Sequence, residues 1–179
     1  LQDVIGFVVS KKDLKGNFAL TSNVFSVNDF MSDDKPSEEN STKSKSPIKV
    51  PSFLDCTITA DAKTVIYDNL QLKNMKGKMI IKDEKVTLEN VNSSLFGGII
   101  SVNGNVSTKE VTPTFSMDLG MNTFDILESF NGMDLLKSLA PIANIIQGKM
   151  NSTIKLSGNL SEEFTPDLKS VSGNVVAQL

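Results

Sequence analysis

The chain contains no histidine, no arginine and no tryptophan, and only one cysteine and one tyrosine among its 179 residues. Each absence removes a class of chemistry. Without imidazole there is no Ser-His-Asp or Cys-His relay, no histidine metal ligand and no histidine pH switch. Without guanidinium there is no bidentate fork for carboxylate or phosphate, and no arginine finger. All 18 basic residues are lysines, set against 21 acidic ones for a formal net charge of -3. That balance is the reverse of the basic stripe by which a nucleic-acid binder is recognised. Tyr67 stands alone and the phenylalanines are scattered, so no stacking platform for single strands exists. No run reaches the roughly 18 apolar residues of a membrane-spanning helix. The chain opens on Leu1-Gln2-Asp3-Val4, with neither an initiator Met nor a basic leader, and is expected to be a segment of a longer protein.

Cys56 lies in Leu54-Asp55-Cys56-Thr57-Ile58, on the apolar side of an alternating run. That position predicts a small buried hydrophobe. A nucleophilic thiolate needs a base, which no histidine supplies, and one cysteine forms no internal disulfide.

What is present is alternation. In Phe115-Ser116-Met117-Asp118-Leu119-Gly120-Met121 every odd position is apolar. From Met150 to Leu160 the even positions carry Met150, Ile154, Leu156 and Leu160 against Lys149, Asn151, Lys155 and Asn159. Leu54-Cys56-Ile58-Ala60, Val86-Leu88, Ile100-Val102-Gly104-Val106 and Val171-Gly173-Val175-Ala177 repeat the period. Successive strand side chains point to opposite faces, so each run predicts a strand with one apolar and one wet face. One-sided strands belong to antiparallel sheet. Lys82-Asp83-Glu84-Lys85 and Asn74-Met75-Lys76-Gly77 are read as hairpin links, and Gly97-Gly98 as a bulge or sharp bend. The expected fold is all-β, mostly antiparallel and strongly curved into a β-groove, with one or two short amphipathic helices.

Two interruptions break the pattern. Residues 32-49 are almost free of apolar side chains before Ile48 and read as a polar, flexible insertion. Asn122 or Thr123 is expected to cap a short helix over Phe124 to Phe130, closed by Asn131-Gly132. A second helix is expected to carry Leu135, Leu136, Leu139, Ile142, Ala143 and Ile146 on one face, kinked at Pro141. That face either packs on the sheet or forms a lip over an apolar groove. An internal repeat links Asn23-Val24-Phe25-Ser26-Val27-Asn28-Asp29 to Asn122-Thr123-Phe124-Asp125-Ile126-Leu127-Glu128, each after a strand. Such repeats predict units stacked in a quasi-linear β array.

No catalytic constellation stands out. Asp33-Asp34, Glu38-Glu39 and Glu162-Glu163 all fall in loop-like sequence, whereas paired catalytic carboxylates must face one cleft. Phosphate loops and an Asp-rich calcium loop are missing too. The expectation is therefore a chain that is not an enzyme and holds no metal or cofactor. What remains is surface. Met75, Met79, Met117, Met121 and Met150 sit on the apolar faces, where flexible thioethers suit either an irregular core or a surface that adapts to its ligand.

The order of motifs adds a family resemblance. Val65-Ile66-Tyr67-Asp68-Asn69-Leu70-Gln71-Leu72-Lys73-Asn74-Met75-Lys76-Gly77 is followed by Val86-Thr87-Leu88-Glu89-Asn90-Val91, by Leu95-Phe96-Gly97-Gly98 and by Ile100-Ser101-Val102-Asn103-Gly104-Asn105-Val106. Phe124-Asp125-Ile126-Leu127 and Ile154-Lys155-Leu156-Ser157-Gly158-Asn159-Leu160 come later. This order resembles the C-terminal region of the AsmA family, best over residues 54-179, with 32-49 as an insertion. The resemblance implies a periplasmic β-groove of a gram-negative cell envelope, tied to the inner membrane by an upstream helix. Relatives of the AsmA and TamB type are implicated in carrying phospholipid toward the outer membrane and in its biogenesis.

The leading expectation is a lipid-conduit segment. Its sheet presents Ile58, Val86, Leu88, Ile100, Val102, Met117, Leu119, Met121, Ile154 and Leu156 to the acyl chains of a phospholipid or similar lipid. The alternative is a structural module for envelope assembly with a sealed apolar core, binding other envelope proteins through strand edges.

Overall fold

The computed structural model describes residues 13–31, 49–132, 147–161 and 164–178. Eight strands form one sheet in sequential order: β1 (Leu14–Ser26), β2 (Leu54–Tyr67), β3 (Leu70–Lys82), β4 (Lys85–Leu95), β5 (Gly98–Ser107), β6 (Thr114–Asp125), β7 (Lys149–Asn159) and β8 (Ser172–Gln178). α1 (Asn28–Met31) follows β1, and α2 (Ile126–Gly132) follows β6. Only β1 and β2 run parallel; every other neighbouring pair is antiparallel. The sheet does not close into a barrel, because β1 and β8 are its two edges. The all-β, mostly antiparallel expectation holds. The expected 32-49 insertion falls almost wholly outside the described residues, as does the expected second helix over Leu135 to Ile146.

Tight turns follow the local sequence. Asp83 and Glu84 both have positive φ (53° and 59°), as do Phe96 and Gly97 (48° and 67°). Two consecutive left-handed residues match the twist of the strands they join, so Lys82-Asp83-Glu84-Lys85 is a hairpin and the Gly97-Gly98 bend closes another. Asn74-Met75-Lys76-Gly77 is not a hairpin, contrary to expectation. It lies inside β3, and the β2–β3 reversal occurs at Asp68 and Asn69. Asn74 has a φ of 53° inside the strand, and the β3–β4 register shifts beside it. The turn-like sequence thus marks a bulge.

Bulges recur, and they reset the alternation. Asn90 (φ 51°) lies between Leu88 and Val91, where the β4–β5 register slips; Thr123 (φ 53°) lies between Met121 and Phe124, where β6–β7 slips. At each site the apolar side chains step by three residues and stay on one face. A side chain from the next strand closes two of these bulges. Asn103 Oδ1 accepts the Asn90 N–H at 2.8 Å, and Asn151 Oδ1 accepts the Thr123 N–H at 2.9 Å.

The expected helix cap also shifts. Phe124 and Asp125 belong to β6, and α2 begins at Ile126. Asp125, rather than Asn122 or Thr123, caps it: its Oδ1 accepts the Glu128 N–H at 3.0 Å. Asn122 and Thr123 are occupied by the bulge. The internal repeat is nevertheless structural at both copies, since β1 runs through Phe25 into α1 as β6 runs through Phe124 into α2.

A core sits where α2 covers one end of the apolar face. Leu95, Ile100, Met121, Phe124, Phe130 and Met150 pack with Ile126, and Phe124 is fully buried. The rings of Phe96 and Phe124 meet edge to face, 6.0 Å between centroids. Cys56 is buried on β2, as its position predicts.

Candidate functional site: an open apolar face

The registers align the apolar residues into rows across the sheet. Phe18 pairs with Ile58, Ile58 with Met79, Met79 with Leu88, Leu88 with Gly104, Gly104 with Met117 and Met117 with Leu156. A second row runs Val91–Val102–Leu119–Ile154–Val175. A third joins Cys56, Ile81, Val86, Val106 and Phe115, and a fourth contains Ile100 and Met121. All ten residues expected at the lipid-contact surface therefore share one face.

They do not share one pocket. Ile100 and Met121 are sealed in the core beneath α2. Val86, Val102, Met117, Leu119, Ile154 and Leu156 are half-buried along the middle of the face. Ile58 and Leu88 line an apolar cavity of about 280 Å³ at the β1–β4 end.

That cavity defines the curvature. Leu20 and Phe25 of β1 line it together with Leu88 and Val91 of β4. In a flat sheet these strands stand about 14 Å apart, at close to 4.8 Å per strand. Here the sheet curls so that they enclose one hollow. Gly77 and Ala60 are part of the wall, and their small size leaves the space open. A Cβ on Gly77 would lie 2.7 Å from Val91 Cγ2. The sequence reading missed Phe25, Ala62 and Val65 as wall residues. The signal for them is the three-residue apolar step from Ala62 to Val65, which a strict period of two discards.

Charge is confined to the other face. Cross-strand neighbours pair there: Asp61 with Lys76 at 2.9 Å, Glu89 with Lys78 at 2.7 Å and Asp118 with Lys155 at 2.9 Å. Asp55 receives both Lys82, at 3.0 Å, and Lys15, at 3.8 Å. The hydrogen bond to Asp55, with its negative charge, holds the Lys82 ammonium above the ordinary lysine value. The Glu128 N–H holds the Asp125 carboxyl below its ordinary value, helped by Lys149. Such exposed pairs contribute little stability each. Their main effect is on register, because a slip by one residue would turn lysines and aspartates onto the apolar face.

A wider but shallower depression of about 560 Å³ lies across β4 to β8, rimmed by Asn92, Ser101, Asn122, Asn151 and Thr153. Asn151 already serves the Thr123 bulge there. Among the described residues no group of three His, Cys, Asp or Glu is placed to hold a metal ion, and no helix is long and apolar enough to cross a membrane. Comparison with protein-family models, with curated proteins and with solved structures gives no significant match.

Proposed function

We propose that the chain is a non-enzymatic lipid-binding segment whose apolar face holds an acyl chain. The observation that carries this reading is the apolar cavity of about 280 Å³, open to solvent at one end of a half-buried apolar face. Ligand clefts run from about 300 to 1,000 Å³, so this one suits a slender apolar chain and not a bulky polar substrate. Beyond the cavity, Val102, Leu119 and Ile154 extend the same surface across the sheet, where a longer chain can lie. Lys78 is the one charged residue in the lining, and its ammonium is held by Glu89 at 2.7 Å, so the otherwise apolar wall favours a lipid headgroup outside in water. The periplasmic setting, the inner-membrane anchor and the part in outer-membrane biogenesis rest on the resemblance to the AsmA family.

The test is photo-cross-linking from Ile58, Leu119 and Ile154, with Thr153 and Lys155 as controls on the wet face. Lipid adducts are expected at the first three positions and not at the last two. Adducts at neither set, or equally at both, would overturn the reading.

A further inference from the structure

The apolar face carries Met75, Met79, Met117, Met121 and Met150, and the structure divides them. Met121 and Met150 are sealed in the core beneath α2, only 4% and 9% exposed. Met75 and Met79 are half-buried and line the apolar cavity between β1 and β4. They stand on one side of β3 with Gly77 between them, opposite Ala62 and Ile58 of β2. Met117 is half-buried as well, but it is not part of that wall. A thioether reacts through its sulfur lone pair, so the two cavity methionines are open to small oxidants that the core methionines do not meet.

We propose that Met75 and Met79 are oxidation sites whose conversion to sulfoxide switches off acyl-chain binding. The consequence rests on the acyl-chain reading of the cavity; the chemistry does not. The oxidant is a peroxide. The sulfur lone pair attacks one oxygen of hydrogen peroxide, the O–O bond breaks and an S–O bond forms. Hydroxide departs and takes the proton of the transferred hydroxyl, leaving as water. Sulfur loses two electrons and the peroxide gains them. Each side chain thereby changes from a flexible apolar thioether into a polar, chiral sulfoxide. The wall offers that oxygen no partner. No hydroxyl or amide side chain lines it, and Lys78, its one charged residue, is bonded to Glu89 at 2.7 Å. Water solvates the sulfoxides in the empty cavity, so the fold persists. An acyl chain displaces this water and strands the oxygens in apolar surroundings, which opposes binding. The change is reversible, because sulfoxide reductases restore the thioether.

The experiment exposes the whole chain to a limited dose of hydrogen peroxide and reads both steps. Peptide mass spectrometry is expected to find sulfoxide at Met75 and Met79 well before Met121 and Met150. Binding of a fluorescent fatty acid is compared before and after peroxide for each protein. In the unaltered chain it is expected to weaken at least about tenfold, and to recover with the two sulfoxide reductases, one for each epimer. In the chain carrying Met75→Leu and Met79→Leu together, a change close in volume, peroxide is expected to leave affinity as it was before treatment. Urea midpoints of the oxidised and untreated chains are expected to stay close. Equal oxidation rates at the cavity and core methionines would overturn the proposal, as would a loss of binding that the double variant shares, or unfolding of the oxidised chain. Sulfoxide at both positions with undiminished binding would overturn the switch alone. Absence of binding before peroxide would sink the acyl-chain reading and the switch with it, and the mass spectra would still decide the oxidation sites.

Discussion

Asp125 joins the last residue of β6 to the first turn of α2, and its carboxylate is the group that does so. It accepts the Glu128 N–H and lies 3.6 Å from the Lys149 ammonium. Both favour the anion, so its pKa falls below the ordinary 3.8. A carboxyl depressed on folding contributes stability that is complete above its unfolded pKa and is lost as pH falls through the folded one. The chain is therefore expected to weaken as pH falls from the ordinary 3.8 through the lower folded value. Asp125→Asn, which keeps a capping oxygen without the charge, is expected to flatten this acid slope. Urea midpoints of both proteins across the acid range decide it, and parallel slopes would count against the carboxylate. Gly98 shows a different constraint. A Cβ there would strike the Asn122 carbonyl and come within 2.7 Å of the Phe124 ring. Backbone and a buried ring cannot yield cheaply, so Gly98→Ala is expected to cost about 1–3 kcal/mol in urea unfolding. The sequence marks Gly98 as special, since a Gly-Gly pair stands between two strands. It does not mark Asp125 as the cap, because Asn122 and Thr123, three and two positions earlier, are also capping residue types. Only the bulge that occupies them decides.

At the scale of strands, the bulges govern which residues face inward. Asn103→Ala and Asn151→Ala remove the acceptors for the Asn90 and Thr123 N–H groups. Both sites are exposed, so water replaces part of what is lost, and each substitution is expected to cost about 0.5–1.5 kcal/mol. Amide exchange gives the sharper reading: faster exchange at Asn90 or Thr123 alone, with β4 and β6 otherwise unchanged. Uniform acceleration would mean that the bulge has no separate hold on its strand. These devices account for what was legible. Phe115 to Met121 and Met150 to Leu160 alternate cleanly and form strands as expected. Asn74-Met75-Lys76-Gly77 has hairpin residues and is strand, because a single left-handed Asn produces a bulge as readily as a turn. The parallel pairing of β1 with β2 was not legible. It depends on how residues between the two strands return the chain, and period-two alternation carries no strand direction.

Among the described residues no second sheet packs on the apolar face of the eight strands. An ordinary antiparallel sandwich buries one sheet against another; here α2 covers one end, and a hollow remains at the other. Ala60 lines that hollow beside Gly77. Ala60→Phe is expected to fill it and to weaken binding of a fluorescent fatty acid about tenfold, equivalent to ~1.4 kcal/mol. Its urea midpoint is expected to stay close to that of the unaltered chain. A folded variant with undiminished affinity would place the acyl chain elsewhere.

The sequence by itself determined that this is an antiparallel-rich β protein with one apolar and one charged face. Alternation is a local property, and a period of two survives any arrangement of strands. It placed all ten candidate contact residues on the same face for that reason. Which of them border open space was decided by tertiary structure alone. Ile58 and Leu88 line the cavity, whereas Ile100 and Met121 lie under α2, although all four look alike in an alternating run. The difference comes from the curl of the sheet and the position of the helix, which depend on bulges and on contacts between distant strands. The absence of histidine and arginine narrows the chemistry, but only the shape of the apolar face says where a ligand has room.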